Sequence, residues 1–232
     1  MIETYAMSHP LFPLAKHEAA HALHGFLVGH TIHGICVTRK SAHTEITYPM
    51  SAESLTSLFA SNPRLWSCEL ARVLGTVMVG ALAEGVALYG QDAESLDGWQ
   101  RAYRRCGADV ADWLKLKAAS FAALTSWYRH SSVSAAVMTL GERLLREGEV
   151  SEYGFQSLLS ALVVQHLPEP NYPVIPPSST RWPHTSGAAA VRRSVAVHNT
   201  MSDIGEYEER ARFFATLNAE QERNIQRYRA AR

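Results

Sequence analysis

His17, Glu18 and His21 stand in the order His-Glu-x-x-His within the stretch 15–23 of a 232-residue chain. On an α-helix the two histidines fall on one face a turn apart, so both imidazoles can reach a single ion. Glu18 is offset from His17 by about 100° around the axis. Its carboxylate therefore lies beside such an ion rather than on it, where it can take a proton from an activated water. This is the spacing of a hydrolytic zinc site. A random shuffle of the same composition would contain it with a probability of roughly 0.04. The competing reading is a buried amphipathic helix that happens to carry two histidines. Two imidazoles and a carboxylate set among small residues make a poor inert core face, which favours the metal reading.

Two imidazoles need a third protein ligand, with the fourth position left to water. The pattern extended by Gly-x-x-His fails, because positions 24 and 27 hold His24 and Leu27. A downstream carboxylate remains, and the aspartates are few: Asp92, Asp97, Asp109, Asp112 and Asp203. His24 is read as a core residue or a support for the ligands, since a fourth protein ligand would close the site to water. Glu84 is the candidate for a glutamate ligand, or else for a hydrogen bond that steadies the zinc helix.

The zinc helix is expected over 13–29, with Pro13 in its first turn, Leu14, Ala15, Ala19, Ala22, Leu23, Phe26 and Leu27 keeping it apolar, and Gly29 stopping it. Further helices are expected at 51–60, 63–90, 93–106, 108–130, 132–147 and 151–166, with a hairpin between about 32 and 49. The fold class is mainly α, or α+β with one small hairpin.

In order along the chain, several segments resemble the peptidase domain of the FtsH-type zinc metalloproteases. They are His17-Glu18-Ala19-Ala20-His21-Ala22; the strands Ile32–Arg39 and Thr44–Pro49; Gly80-Ala81-Leu82-Ala83-Glu84; Ser95-Leu96-Asp97; and a closing helical pair from Ala135 to Leu159. The resemblance covers about 10–165. It implies a helical, zincin-like metallopeptidase domain in which Asp97 is the third zinc ligand, with Asp92 and then Glu94 as fallbacks. It also implies that the second strand, Thr44, Glu45, Ile46, Thr47 and Tyr48, pairs with an extended substrate. Ala20 replaces a usual glycine, Gly98 replaces a large apolar residue, and the interval from Gly80 to Asp97 is a residue short of the family pattern.

Charge and composition bound the remainder. With 22 basic and 22 acidic side chains and a formal net charge of +0, no nucleic-acid footprint is visible. Cys36, Cys68 and Cys106 have no metal-type spacing and read as reduced thiols. The start of the chain lacks a basic then apolar leader, and the apolar run from Val73 to Ala83 is too short to cross a bilayer, so no membrane span and a cytoplasmic location are expected. No phosphate loop is present. The substrate is then an unfolded protein or peptide, unless a separate ATPase delivers folded ones, and the resemblance allows a homo-oligomer.

Six of the ten prolines fall between Pro168 and Pro183. Accordingly the chain divides into a peptidase domain at 1–167, a linker at 168–202 and an amphipathic helix at 203–232. Two other readings stay open: a glutamate-ligand metallopeptidase of another fold, and a non-catalytic adaptor acting through the final helix.

Overall fold

The structure is a computed structural model that describes residues 9–49, 52–161 and 166–175. The final segment 203–232, expected to be an amphipathic helix, lies outside the described residues. The chain is mainly helical, with one small antiparallel sheet. In order it forms α1 (Phe12–Leu27), β1 (Thr31–Val37), β2 (Ala42–Thr47), α2 (Ala52–Ser61), α3 (Pro63–Glu84), α4 (Gly90–Arg105), α5 (Val110–Tyr128), α6 (Ser131–Glu147), β3 (Glu149–Ser151) and α7 (Glu152–Ala161).

Helix α1 is the centre of the fold. Ala15, Ala19, Ala20 and Ala22 are all 0% exposed. Their small side chains let α3 on one side and α6 on another approach closely, and Gly141 of α6 meets the backbone of Ala15 and Lys16. Pro13 lies in the first turn as expected. The helix ends at Leu27, and Gly29 takes a positive φ of 87° that a side chain would resist.

The hairpin predicted between 32 and 49 forms from β1 and β2, in a register running from Thr31 opposite Thr47 to Val37 opposite Ala42, with an irregularity at His33. A third strand, β3, joins the other side of β1 through Val150 opposite Ile35, giving the order β2-β1-β3. Strand β2 is therefore an edge of the sheet among the described residues.

Helix α3 is the one described helix long and apolar enough to cross a membrane, and most of it is buried inside the fold. It stops at Glu84, earlier than the expected 90, because Gly85 adopts a left-handed φ of 82° and both Gly85 and Val86 donate to the carbonyl of Ala81. The chain is thus free to start α4 at Gly90 rather than at 93, a shift that decides the metal site below.

Of the expected linker at 168–202, residues 168–175 are described and are docked on the helices, and 176–202 lie outside the described residues. Trp127 Nε1 donates to the carbonyl of Pro168 at 2.6 Å, Tyr172 is buried, and Ser67 exchanges hydrogen bonds with Ile175 through its hydroxyl, donating to the carbonyl at 2.7 Å and accepting from the amide at 2.9 Å. Prolines fix an extended path here, and that path is used as a strap across α5 and α3 rather than as a free spacer.

Candidate metal centre

The helical spacing of His17 and His21 places their rings edge to face, with centroids 4.7 Å apart and Nε2 atoms 3.0 Å apart. Each ring is fixed from behind. His17 Nδ1 donates to Glu84 Oε2 at 3.1 Å, and the Tyr89 hydroxyl donates to the same oxygen at 2.7 Å. His21 Nδ1 donates to the backbone carbonyl of Thr76 at 2.6 Å. With both Nδ1 atoms engaged from behind, the two Nε2 atoms face each other across 3.0 Å.

The third member is Asp92. Its Oδ2 lies 3.1 Å from His17 Nε2 and 3.3 Å from His21 Nε2, and it makes no aligned hydrogen bond. All three residues are buried, and their ligating atoms lie within 4.8 Å of one another. Two ring nitrogens and a carboxylate oxygen therefore converge in a buried place, an arrangement that a cation, or a proton shared among them, stabilises. The cluster could hold a metal ion. Tetrahedral zinc with bonds of 2.0–2.1 Å has ligand-to-ligand edges of about 3.3–3.4 Å, close to the triangle observed.

Asp97 is not a member of this cluster, which corrects the expected third ligand. Because α4 begins at Gly90, its first-turn carboxylate is Asp92. Asp97 is five residues further on, about 140° around the helix from Asp92, and is exposed. Glu94 is exposed as well. Glu84 supports His17 through its far ring nitrogen.

Space for the ion depends on Gly80 of α3. A Cβ at this position would fall 2.5 Å from His17 Nε2 and Cδ2 and closer still to His21. Only a residue without a side chain leaves the cradle open.

The charges respond to this crowding. Burial alone would lower His17, but the Asp92 and Glu84 carboxylates beside its two ring nitrogens and the charge of Glu18 outweigh it and hold the imidazole up at about 10. Asp92 feels the opposite balance: burial pushes its carboxyl up, while His21 and His17 together hold it below the usual carboxylate range. Without a metal, the site therefore keeps a proton where the cation would sit.

Glu18 stands next to the cluster and is 0% exposed. Thr44 Oγ1 donates to its Oε2 at 2.7 Å, whereas Oε1 has no partner among the described residues. A cleft lined by Glu18, His21, Thr44, Ile46, Tyr48 and Asp92 places this carboxylate beside two members of the cluster. Of the five strand residues expected to meet substrate, Thr44, Ile46 and Tyr48 face this cleft. Glu45 and Thr47 are exposed on the opposite face of β2, where Thr47 Oγ1 bonds His33 Nε2 at 2.9 Å. The alternation follows because successive strand residues point to opposite faces.

Behind the ligands lies a polar chain that spacing alone did not reveal. Thr76 donates its hydroxyl to the carbonyl of Arg72 and accepts from His24 Nδ1 at 2.9 Å and His30 Nδ1 at 3.1 Å. His24 Nε2 in turn accepts the hydroxyl of Tyr172 at 2.5 Å. Burial drives both imidazoles toward the neutral form, His24 well below its ordinary value and His30 to about 4. Thr76, Tyr89 and Tyr172 carry no motif, so only the packing brings them to the site.

No family model, curated protein or solved structure compared with this chain matches it.

Proposed function

We propose that the chain is a zinc-dependent metalloendopeptidase of the FtsH type that hydrolyses peptide bonds in unfolded proteins or peptides. The observation that carries this reading is the convergence of His17 Nε2, His21 Nε2 and Asp92 Oδ2 beside a buried Glu18 with one unpartnered oxygen, with Glu18, His21 and Asp92 lining one cleft. His17, His21 and Asp92 would hold the ion, and three protein ligands leave one position open, as catalytic rather than structural zinc requires. When bound, zinc would supply Lewis-acid activation of a water and of the scissile carbonyl.

The chain's own groups do the rest. Glu18 Oε1 accepts a proton from the attacking water and returns it to the leaving amine. Glu84 and the Thr76 carbonyl keep both imidazoles in the tautomer that presents Nε2. Strand β2, at the sheet edge beside the cleft, offers its main chain to an extended peptide. A folded substrate has no extended strand to offer, so its cleavage requires prior unfolding, by a separate ATPase if at all.

The test is zinc stoichiometry on wild type and Glu18→Gln, alongside cleavage of casein or a peptide. One zinc per chain in both, with cleavage lost in Glu18→Gln, is the expected result. A zinc-free wild type rejects the reading, and a zinc-loaded but inactive one favours a binding role.

A further inference from the structure

We infer that Thr44 is a positioning residue for the general base: its hydroxyl locks Glu18 so that Oε1, not Oε2, faces the reacting water. The inference rests on the peptidase reading and deepens it.

Thr44 is 3% exposed, and its Oγ1 lies 2.7 Å from Glu18 Oε2 and 3.0 Å from the backbone carbonyl of Glu18. A hydroxyl has one proton, and the bond to the charged oxygen is the stronger of the two. The donor is itself held rigidly. β-Branching restricts the Thr44 side chain, and its backbone is paired in register with Ile35 on β1. Glu18 thus has one oxygen tied to the sheet, while the other is buried without a partner. A carboxylate anchored in this way has one basic lone-pair set available, and its direction is fixed before substrate arrives.

The link also joins the two elements that must move together. Helix α1 carries the base and two ligands, and β2 carries the edge offered to the peptide. The Thr44–Glu18 bond fixes the distance between the base and the backbone that would hold the scissile bond. Loss of the hydroxyl would leave the metal ligands in place, because neither imidazole nor Asp92 touches Thr44 through any hydrogen bond. It would release the Glu18 carboxylate into alternative rotamers, which lowers turnover rather than binding.

Thr44→Val keeps the shape and removes the donor, and Thr44→Ser restores the donor with less bulk. In full-length protein, kcat, KM for a fluorogenic peptide, and zinc content separate the possibilities. The expected outcome for Thr44→Val is one zinc per chain, KM within about twofold of wild type, and kcat lower by roughly 10- to 100-fold, a share of the ~10²–10⁴ typical of a general base. Thr44→Ser should recover kcat to within about threefold. In a Glu18→Gln background, Thr44→Val should change the residual rate by less than about twofold, because the two residues act as one unit. Unchanged kcat in Thr44→Val overturns the inference, as does zinc loss matching the fall in rate. Should Thr44→Val fail to fold, failure of Thr44→Ser to retain activity overturns it equally. A zinc-loaded wild type that cleaves nothing removes the peptidase reading itself and this role with it, a result distinct from a defect confined to the variants.

Discussion

Gly80 and His17 are packed so closely that a single methyl group on Gly80 would lie 2.5 Å from His17 Nε2, the atom that faces the proposed cation. Alanine is the better helix former by about 0.5–1 kcal/mol, so Gly80→Ala ought to favour α3 on propensity alone. Here the sign should reverse. The expected result is zinc content below about a tenth of wild type by elemental analysis, with a lower melting temperature. A fully loaded, more stable Gly80→Ala protein would contradict the cradle.

Asp92 and Asp97 offer a direct comparison on one helix. Asp92→Ala removes a buried ligand and should abolish stoichiometric zinc binding in a chelator competition. Asp97→Ala changes an exposed side chain and should leave affinity and stability within about 0.5 kcal/mol of wild type. Zinc loss in Asp97→Ala with retention in Asp92→Ala would reverse the assignment.

That pair also shows how far the sequence could be read. The helix that carries His17 and His21, the hairpin and the place of Glu18 beside the cluster were legible because their signals are local: a four-residue spacing, an alternating strand pattern and a neighbouring carboxylate. The third member of the cluster comes from about 70 residues away, and its identity turns on where α4 starts. One left-handed glycine, Gly85, ends α3 early and moves that start back to Gly90, which brings Asp92 rather than Asp97 to the imidazoles. The strap was missed for a related reason. Proline density marks an extended path, but whether that path is solvated or docked depends on a groove built from Ser67, Gly75 and Trp127, residues of distant helices.

Zinc binding should strengthen as pH rises. In the metal-free protein His17 is held at about 10, above the ordinary 6.5, so near neutrality a proton must leave before its Nε2 can bind a cation. The apparent Kd, measured by chelator competition between pH 7 and 9, should fall by about tenfold per pH unit. The same shift has a consequence for stability. A raised folded-state value stabilises fully below the unfolded value of 6.5 and is lost as pH rises through 10, so the chelator-stripped protein should lose stability across that window. The zinc-loaded protein should not, since the cation replaces the proton. Equal pH profiles for the two forms would count against a shared site.

Tyr172 tests whether the strap belongs to the fold. Its hydroxyl is 2.5 Å from His24 Nε2, inside a pocket that exists because Gly75 has no side chain to fill it. Tyr172→Phe leaves a buried imidazole nitrogen without its donor, at a cost of about 1–3 kcal/mol, or a few degrees in melting temperature for a domain of this size. Gly75→Ala should cost more, because its methyl group would occupy the space of the Tyr172 ring and drive the strap off α3. Zinc stoichiometry should survive Tyr172→Phe, since His21 is held by the Thr76 carbonyl and not by the hydroxyl that His24 uses. Thermal denaturation with elemental analysis separates the two effects. Loss of zinc at unchanged melting temperature would mean that the strap acts on the ligands and not on the core, contrary to the hydrogen-bond chain described.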